Sequence, residues 1–396
     1  MIAPQYRIYA SFFLFALATG AMMSRLPDIQ THLGVTEGQL GLTIIGMSIG
    51  SLISLTLGAP IIERIGPRRV GLVTTIGPAL LLALVPWMPN APSVFVVLFF
   101  AGILSGALEI NLNVEIDRIE IHSGKRYMNR AHGFWSVGFF VTALLGATIR
   151  QSGLEARWHL ALIALIVLAA GIFFLAGLVA APRPAGRAEA GNEHRIAFPT
   201  LGLLPLCLIG FAAFLVEGAG IDWSAIYMRN VFDTEPFIGG MGLALFAFFM
   251  SVIRLTVDPV VARFGPRDVA LVLLSLATVG ALMVVYAPLP SVALAGFALM
   301  GIGCSAVYPL AISAAAQRTD RPASVNVAAL GQVSFVVFFM APPLLGIVAE
   351  HFGIRNSYMV CVPVLLAGLW ASSFALGKRK IAPPPGLPPE PLPPTG

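Results

Sequence analysis

Glu109, Glu217 and Arg254 stand inside long apolar runs, where an ionised side chain is expensive. A charge at the centre of a bilayer costs about 2.5–3.5 kcal/mol on insertion scales, so a chain that keeps one there has a use for it. Glu109 lies in Gly106-Ala107-Leu108-Glu109-Ile110-Asn111-Leu112-Asn113. Desolvation disfavours the charged form of a carboxyl group, which suits one that must load and release a proton. The other role open to Glu109 is a hydrogen-bonded glutamate that ties two helices together. Glu217, beside Gly218 and Gly220, is the second proton-coupling candidate, unless it lies close to outer water. Asn113 follows Glu109 at i+4 and shares its helix face, so it is the better substrate contact; Asn111 is a further candidate on a different face. Trp223, Tyr227, Tyr308 and Gln332 could extend a substrate surface, and each could equally serve core packing or a lipid interface. His132 and Trp135, one turn apart, offer a proton relay and a stacking ring, or packing alone. Arg254 has Asp258 at i+4, and a local ion pair that neutralises both is the expected arrangement.

The elements that must position these groups are helices in lipid. Of 396 residues, 57% are hydrophobic and 11% charged, with mean hydropathy +0.87. Soluble proteins carry about 25% charged residues, so lipid must solvate much of this chain. A span needs about 20 apolar residues. Twelve such runs are expected, near 7–25, 38–58, 70–88, 94–116, 131–150 and 158–181, then 202–224, 238–257, 269–286, 291–316, 327–348 and 357–377. Ala16-Leu17-Ala18 after Arg7 imitates a signal-peptide cleavage site, but the apolar run continues to Met23, so the segment is read as helix one. The domains expected are a six-helix bundle over 1–181, a polar linker over 182–199, a second bundle over 200–381 and a proline-rich disordered tail over 382–396.

Basic residues predict the orientation. With both termini cytoplasmic, eighteen of the 24 lysines and arginines face the cytoplasm. Five lie outside (Arg25, Arg150, Arg157, Arg229 and Arg355), and Arg254 lies within a span. That is the positive-inside pattern.

The two halves repeat. Pro60-Ile61-Ile62-Glu63-Arg64-Ile65-Gly66-Pro67-Arg68-Arg69-Val70-Gly71-Leu72-Val73 matches the segment from Pro259 to Val272 at eight of fourteen positions, 199 residues later. The same offset sets Gly102 against Gly301 and Glu109-Ile110 against Tyr308-Pro309, so an aromatic and a helix breaker replace the acid. Two parallel six-helix repeats put a transport site between the halves. At an offset of 198, Arg25 corresponds to Trp223, so Arg25 and Asp222 are expected at similar heights near the outer ends of helices one and seven. They could latch an outer gate; the alternative is a local pair of Arg25 with Asp28.

The loop Glu63-Arg64-Ile65-Gly66-Pro67-Arg68-Arg69 resembles the signature loop of the major facilitator superfamily, roughly G-x-L-a-D-r-x-G-r-k. Glu63 stands for the acid, Ala59 takes the leading glycine's place, and Ala262 replaces the acid in the second half. The resemblance covers the whole chain. It implies an all-α integral membrane fold of twelve transmembrane helices in two pseudo-symmetric six-helix bundles. It also implies an inner gate of Glu63 with Arg64 and Arg68, to which Glu115 and Asp117 could belong unless they cap a solvated helix end. Within the superfamily, Glu109 with its asparagines, and Glu217 with the Asp222-Trp223 ending, are similar to motifs of the fucose–proton symporter branch. That similarity implies that Glu109 carries the coupled proton near a sugar-like substrate. Fucose symporters hold an aspartate inside helix one, whereas the first acid here is Asp28, at its outer end.

No P-loop, HExxH, nucleophile elbow or dinucleotide fingerprint is present in the sequence, and Cys207, Cys304 and Cys361 have no metal-ligand spacing. The expectation is a secondary transporter and not an enzyme, with no cofactor and with H+ as the coupling ion. Its solute would be a small polar molecule, a sugar or polyol. Its partners would be that substrate and the lipid bilayer, with no nucleic acid; a monomer in a bacterial inner membrane is expected. A proton-driven drug or metabolite exporter is one alternative, and a transport-dead membrane sensor is another.

Overall fold

The computed structural model describes residues 2–123, 127–178 and 198–377, except for the side chains of Ala59, Glu63, Asn129, Ala323, Ser324, Phe335 and Phe338. The tail expected at 382–396 lies outside these residues, as does the linker expected at 182–199 apart from Phe198 and Pro199. The first half holds α1 (Pro4–Ser24), α2 (Leu26–Leu33), α3 (Glu37–Leu57), α4 (Ala59–Ile65), α5 (Pro67–Leu84), α6 (Ala91–Ser123), α7 (Met128–Gln151) and α8 (Ala156–Leu175). The second holds α9 (Leu204–Phe232), α10 (Pro236–Phe264), α11 (Pro266–Tyr286), α12 (Pro290–Cys304), α13 (Val307–Ala316), α14 (Ala323–Phe352), α15 (Ile354–Met359) and α16 (Cys361–Ala375). Twelve helical stretches are long and apolar enough to cross a membrane; α12 with α13 and α15 with α16 each make one of them. No strand occurs among the described residues.

Local chemistry sets the helix ends. At the start of α3, Thr36 and Gln39 form a capping box, each side chain accepting the other's backbone N–H at 3.2 and 3.1 Å. Pro67, Pro236, Pro266 and Pro290 open their helices, where no N–H is needed. The turns before α5 and α11 use Gly66 at φ 87°, ψ 151° and Gly265 at φ 90°, ψ 154°, a region that a Cβ disfavours. These glycines lie 199 residues apart, so the repeat in sequence is a repeat in backbone geometry.

Packing repeats too. A Cβ on Gly102 of α6 would lie 1.9 Å from the Met47 carbonyl oxygen of α3. A Cβ on Gly301 of α12 would lie 2.3 Å from that of Phe246 in α10. Both members of the pair shift by 199 residues. Missing side chains let the backbones touch, which is how helices associate where lipid removes the hydrophobic drive.

Several helices run beyond the apolar stretches that mark them. Helix α9 continues to Phe232 where hydropathy ends near 224, and α6 continues to Ser123 where it ends near 116. Hydropathy marks the edge of the hydrocarbon, not of the helix: Arg229 and Asn230 extend α9, while Glu115 and Arg118, paired at 2.7 Å, extend α6. Glu115 is therefore buried within a helix and is not a solvated helix end.

The halves meet along α3 with α14 and α7 with α10. Hydrogen bonds between described residues of the two halves cluster at the end opposite the N-terminus. Arg229 of α9 donates to the Pro27 carbonyl at 2.7 Å, to Thr31 Oγ1 at 3.1 Å and to Gln30 Oε1 at 2.6 Å. Asn230 donates to Glu37 at 2.8 Å, and Thr36 Oγ1 to Glu350 at 3.0 Å. Gln151 donates to Glu235 at 3.3 Å and accepts from the Phe237 amide at 3.0 Å. This end of the molecule is closed.

Candidate functional site

Four polar side chains, two from each half, reach a common depth. At about 1.5 Å per residue, Glu109 lies about 27 Å along α6 from Ala91, and Arg254 about 27 Å along α10 from Pro236. Tyr308 lies about 27 Å from Pro290, and His132 about 28 Å from the Gln151 end of α7. Glu109 and His132 are exposed, Arg254 and Tyr308 partly so. Across the seam Tyr308 lies within electrostatic reach of Glu109, and His132 within that of Arg254. Glu109 therefore faces the space between the halves and not the acyl chains. Among the described residues it has no ion-pair partner.

The second half supplies a built ion pair. Arg254 Nη2 lies 3.1 Å from Glu217 Oε2, joining α10 to α9. This corrects the expected local pair of Arg254 with Asp258. Asp258 is exposed, whereas Glu217 is buried and needs a cation. Arg254 Nε also donates to the Ser305 carbonyl at 3.0 Å, at the break between α12 and α13. That carbonyl would accept from residue 309 in a continuous helix, but Pro309 has no N–H. One guanidinium thus neutralises Glu217 and satisfies the acceptor left by the break. Beyond the break, the Tyr308 ring packs at 4.5 Å on Phe214.

Other expected site residues fall elsewhere. Asn111 is buried, donates to the Pro67 carbonyl at 3.4 Å and so faces α5. Asn113 is half-buried, and its Oδ1 has no hydrogen-bond partner. Trp223 is fully buried, its ring against Gly346. Tyr227 is fully buried, donates to the Val284 carbonyl and packs among Phe297, Tyr358 and Phe232. Neither ring reaches the cavity, because the long α9 carries them into the core of the second half. Trp135 is half-buried and stacks on Phe139 at 5.3 Å, Gln332 is half-buried on α14, and the His132 ring lies 5.0 Å from Phe12. Arg64 and Arg68 are exposed on either side of Gly66, and the Glu63 side chain lies outside those described.

Arg25 does not reach Asp222. Its guanidinium donates to Asp28 at 2.8 Å, to the Leu154 carbonyl at 2.8 Å and to His159 Nδ1 at 2.9 Å. Arg150 also binds Asp28, with contacts of 2.8, 3.0 and 3.1 Å. Burial pushes the Asp28 carboxyl up, but the hydrogen bonds and charges of Arg150 and Arg25 outweigh it and hold the group below its usual range. These residues line a cleft of about 390 Å³ on the closed end, with His32, Glu155 and Arg157. It is distinct from the space that Glu109 faces, and Arg25 and Arg150 are already bound within it.

The sequence reading missed Arg229 as the central donor of the closed end. A signal for it existed: Arg229 follows Asp222 by seven residues, on the same face of one helix.

Twelve spans in two repeats around a polar seam define a membrane transporter and not an enzyme. The chain matches the Major Facilitator Superfamily over residues 8–320 and again over 206–396, and it belongs to that family. It is similar to the uncharacterized transporter y4wD of Sinorhizobium fredii, at 28% identity over 95% of this chain and 97% of that one. It is also similar to the membrane protein MosC of Rhizobium meliloti, at 25% identity over 92% of this chain and 88% of the other. Among solved structures, the nucleoside transporter NupG matches with TM-score 0.72 at 11% identity, covering 94% of this chain and 99% of its own. The fucose:proton symporter FucP of E. coli matches with TM-score 0.63 at 18% identity, covering 95% and 99%.

Proposed function

We propose that the protein is a secondary active transporter that couples proton movement to uptake of a small polar solute, a sugar or polyol, by alternating access. The observation that carries this is Glu109: an acid with no cation partner among the described residues, exposed to the space between the halves and facing Tyr308. A lone carboxyl group at this depth favours its neutral form and binds a proton readily. Tyr308, partly exposed, supplies a ring face for such a solute. Solved neighbours named for fucose and proton transport and for nucleoside transport support a polar, hydroxyl-rich solute.

With the positive-inside orientation the closed end faces outward, so on this reading the space between the halves exchanges solute with the cytoplasm of a bacterial inner membrane. Protonation of Glu109 and solute binding favour one orientation, and release to the cytoplasm favours the other. The test is uptake into proteoliposomes from a panel of labelled sugars, polyols and nucleosides, with and without an inward proton gradient. Gradient-driven uptake is expected from wild type and not from Glu109→Gln, with solute exchange retained in the variant. Unchanged gradient-driven uptake by Glu109→Gln sinks the reading.

A further inference from the structure

In the cleft on the closed end the charges do not balance. It holds about 390 Å³, within the range of small-molecule sites, and three arginines line it, Arg25, Arg150 and Arg157, against two acids, Asp28 and Glu155. Asp28 is shared by Arg25 and Arg150, and Glu155 lies 2.5 Å from Arg157, so one positive charge is left over. Arg25 is fully engaged, since all three of its nitrogens donate to protein acceptors. Donors remain on the other two. Arg150 holds Asp28 through Nε and Nη2, and its Nη1 makes no hydrogen bond among the described residues. Arg157 meets Glu155 through Nε, and neither of its Nη groups makes one; its side chain is 42% exposed. Two nitrogens on one planar guanidinium match two oxygens of one anion.

The level of the cleft in the membrane selects the anion. Apolar spans end at Trp87 and begin at Ala156 and Pro236, and Pro86, Ala156 and Pro236 line the cleft. It therefore lies at the edge of the hydrocarbon, where lipid headgroups begin. Trp87 and Trp158 stand beside it, 49% and 53% exposed, and tryptophan is enriched at this level. The Arg157 guanidinium lies 5.5 Å from the centroid of each ring, so it is held over aromatic surface at the rim. A phosphate free in water gains nothing from exposed tryptophans. A phospholipid brings the phosphate for the arginines and an apolar stem for the rings.

We infer that this cleft binds the phosphodiester of an anionic phospholipid from the leaflet on the closed side. Arg157 and Arg150 donate to its oxygens, and Trp87 and Trp158 pack along its glycerol and first methylenes. The single charge of the diester matches the single charge in excess, whereas a zwitterionic headgroup would add a cation to a cleft that already has one too many. The inference rests neither on Glu109 nor on the nature of the transported solute.

The test is native mass spectrometry of the full chain in detergent, titrated with phosphatidylglycerol, phosphatidylcholine, glycerol 3-phosphate or inorganic phosphate. The wild type is expected to take up one phosphatidylglycerol before any phosphatidylcholine. Arg157→Ala should weaken that first binding by about tenfold, the low end for a hydrogen bond to a charged group. Arg263→Ala removes an exposed arginine at the opposite end of α10 and should leave it unchanged. Glu155→Gln removes the acid that competes for Arg157 and should tighten it, a gain that a merely disturbed fold would not give. Equal binding of the two lipids overturns the proposal, and so do equal affinities in Arg157→Ala and Arg263→Ala. Glycerol 3-phosphate or inorganic phosphate binding as tightly as phosphatidylglycerol overturns it too, because the cleft would then be a site for free phosphate.

Discussion

Glu217 and Arg254 show how a side chain's neighbours decide its role. As isolated residues they look alike, two charges in apolar sequence. Paired at 3.1 Å they neutralise each other, whereas Glu109 has no ion-pair partner among the described residues. Removing one member of a buried pair leaves an uncompensated charge, a loss of about 3–5 kcal/mol when burial is complete. Here the Arg254 side chain is 26% exposed, so Arg254→Ala is expected to lower stability by more than about 1 kcal/mol but less than that full value. The double variant Arg254→Ala, Glu217→Ala should recover part of the loss in thermal unfolding of purified protein. Equal losses in the single and double variants would show that the pair matters through packing alone. Asp28 offers a test outside the lipid. Its carboxyl is held below the ordinary value of 3.8, so its stabilisation is complete above that value and disappears as pH falls toward the folded-state value. Asp28→Asn should therefore flatten the acid limb of the unfolding temperature against pH; an unaltered acid limb assigns it to other groups. The sequence exposed these residues as charges in the wrong solvent. It could not show which acid had a cation, because Glu217 and Arg254 belong to different helices.

At the scale of elements, small residues and breakers carried most of the readable information. Gly102 and Gly301 are matched in sequence, and each meets a carbonyl oxygen of a neighbouring helix, at Met47 and Phe246. Backbone cannot retreat as a side-chain tip can, so Gly102→Val should separate α6 from α3. The expected result is loss of the monodisperse peak in size-exclusion chromatography, with the same loss for Gly301→Val. A normal peak from either would mean that the contact is dispensable. Span number was legible because each crossing needs its own apolar run. Helix ends were not, since α6 and α9 continue on paired or exposed polar residues after the lipid ends. Arg25 does not pair with Asp222 because Asp28, the Leu154 carbonyl and His159 already hold its guanidinium. The elongation of α9 carries Trp223 and Tyr227 into packed core. Pro309 was visible as a breaker, but the use made of its break, an acceptor for Arg254, emerges only when α10 lies beside α12 and α13.

For the whole molecule, the duplication supplies a scaffold that each half then uses differently. Gly66 and Gly265 keep the same turn, whereas the repeat sets an acid, Glu109, against an aromatic, Tyr308, within electrostatic reach of it across the seam. Asymmetry also governs the closed end, where Arg229 of the second half grips three acceptors around α2 of the first. Hydrogen bonds from a charged donor are worth about 1.5–3 kcal/mol each when buried, and less where water competes. Arg229→Ala is therefore expected to move the closed-to-open balance by about 1.4 kcal/mol, a tenfold change. Pulsed electron resonance between spin labels at His32→Cys of α2 and His351→Cys of α14 should read this as a gain in the long-distance population. The variant should also load solute from outside while releasing it slowly, because the closed state that precedes release is less populated. Arg229→Lys keeps a charge but loses the fork that reaches three acceptors, so it should fall between the two. If Arg229→Ala stays as closed as wild type, the end is held by the packing of α3 on α14 and α7 on α10, and the latch is a consequence of closure and not its cause.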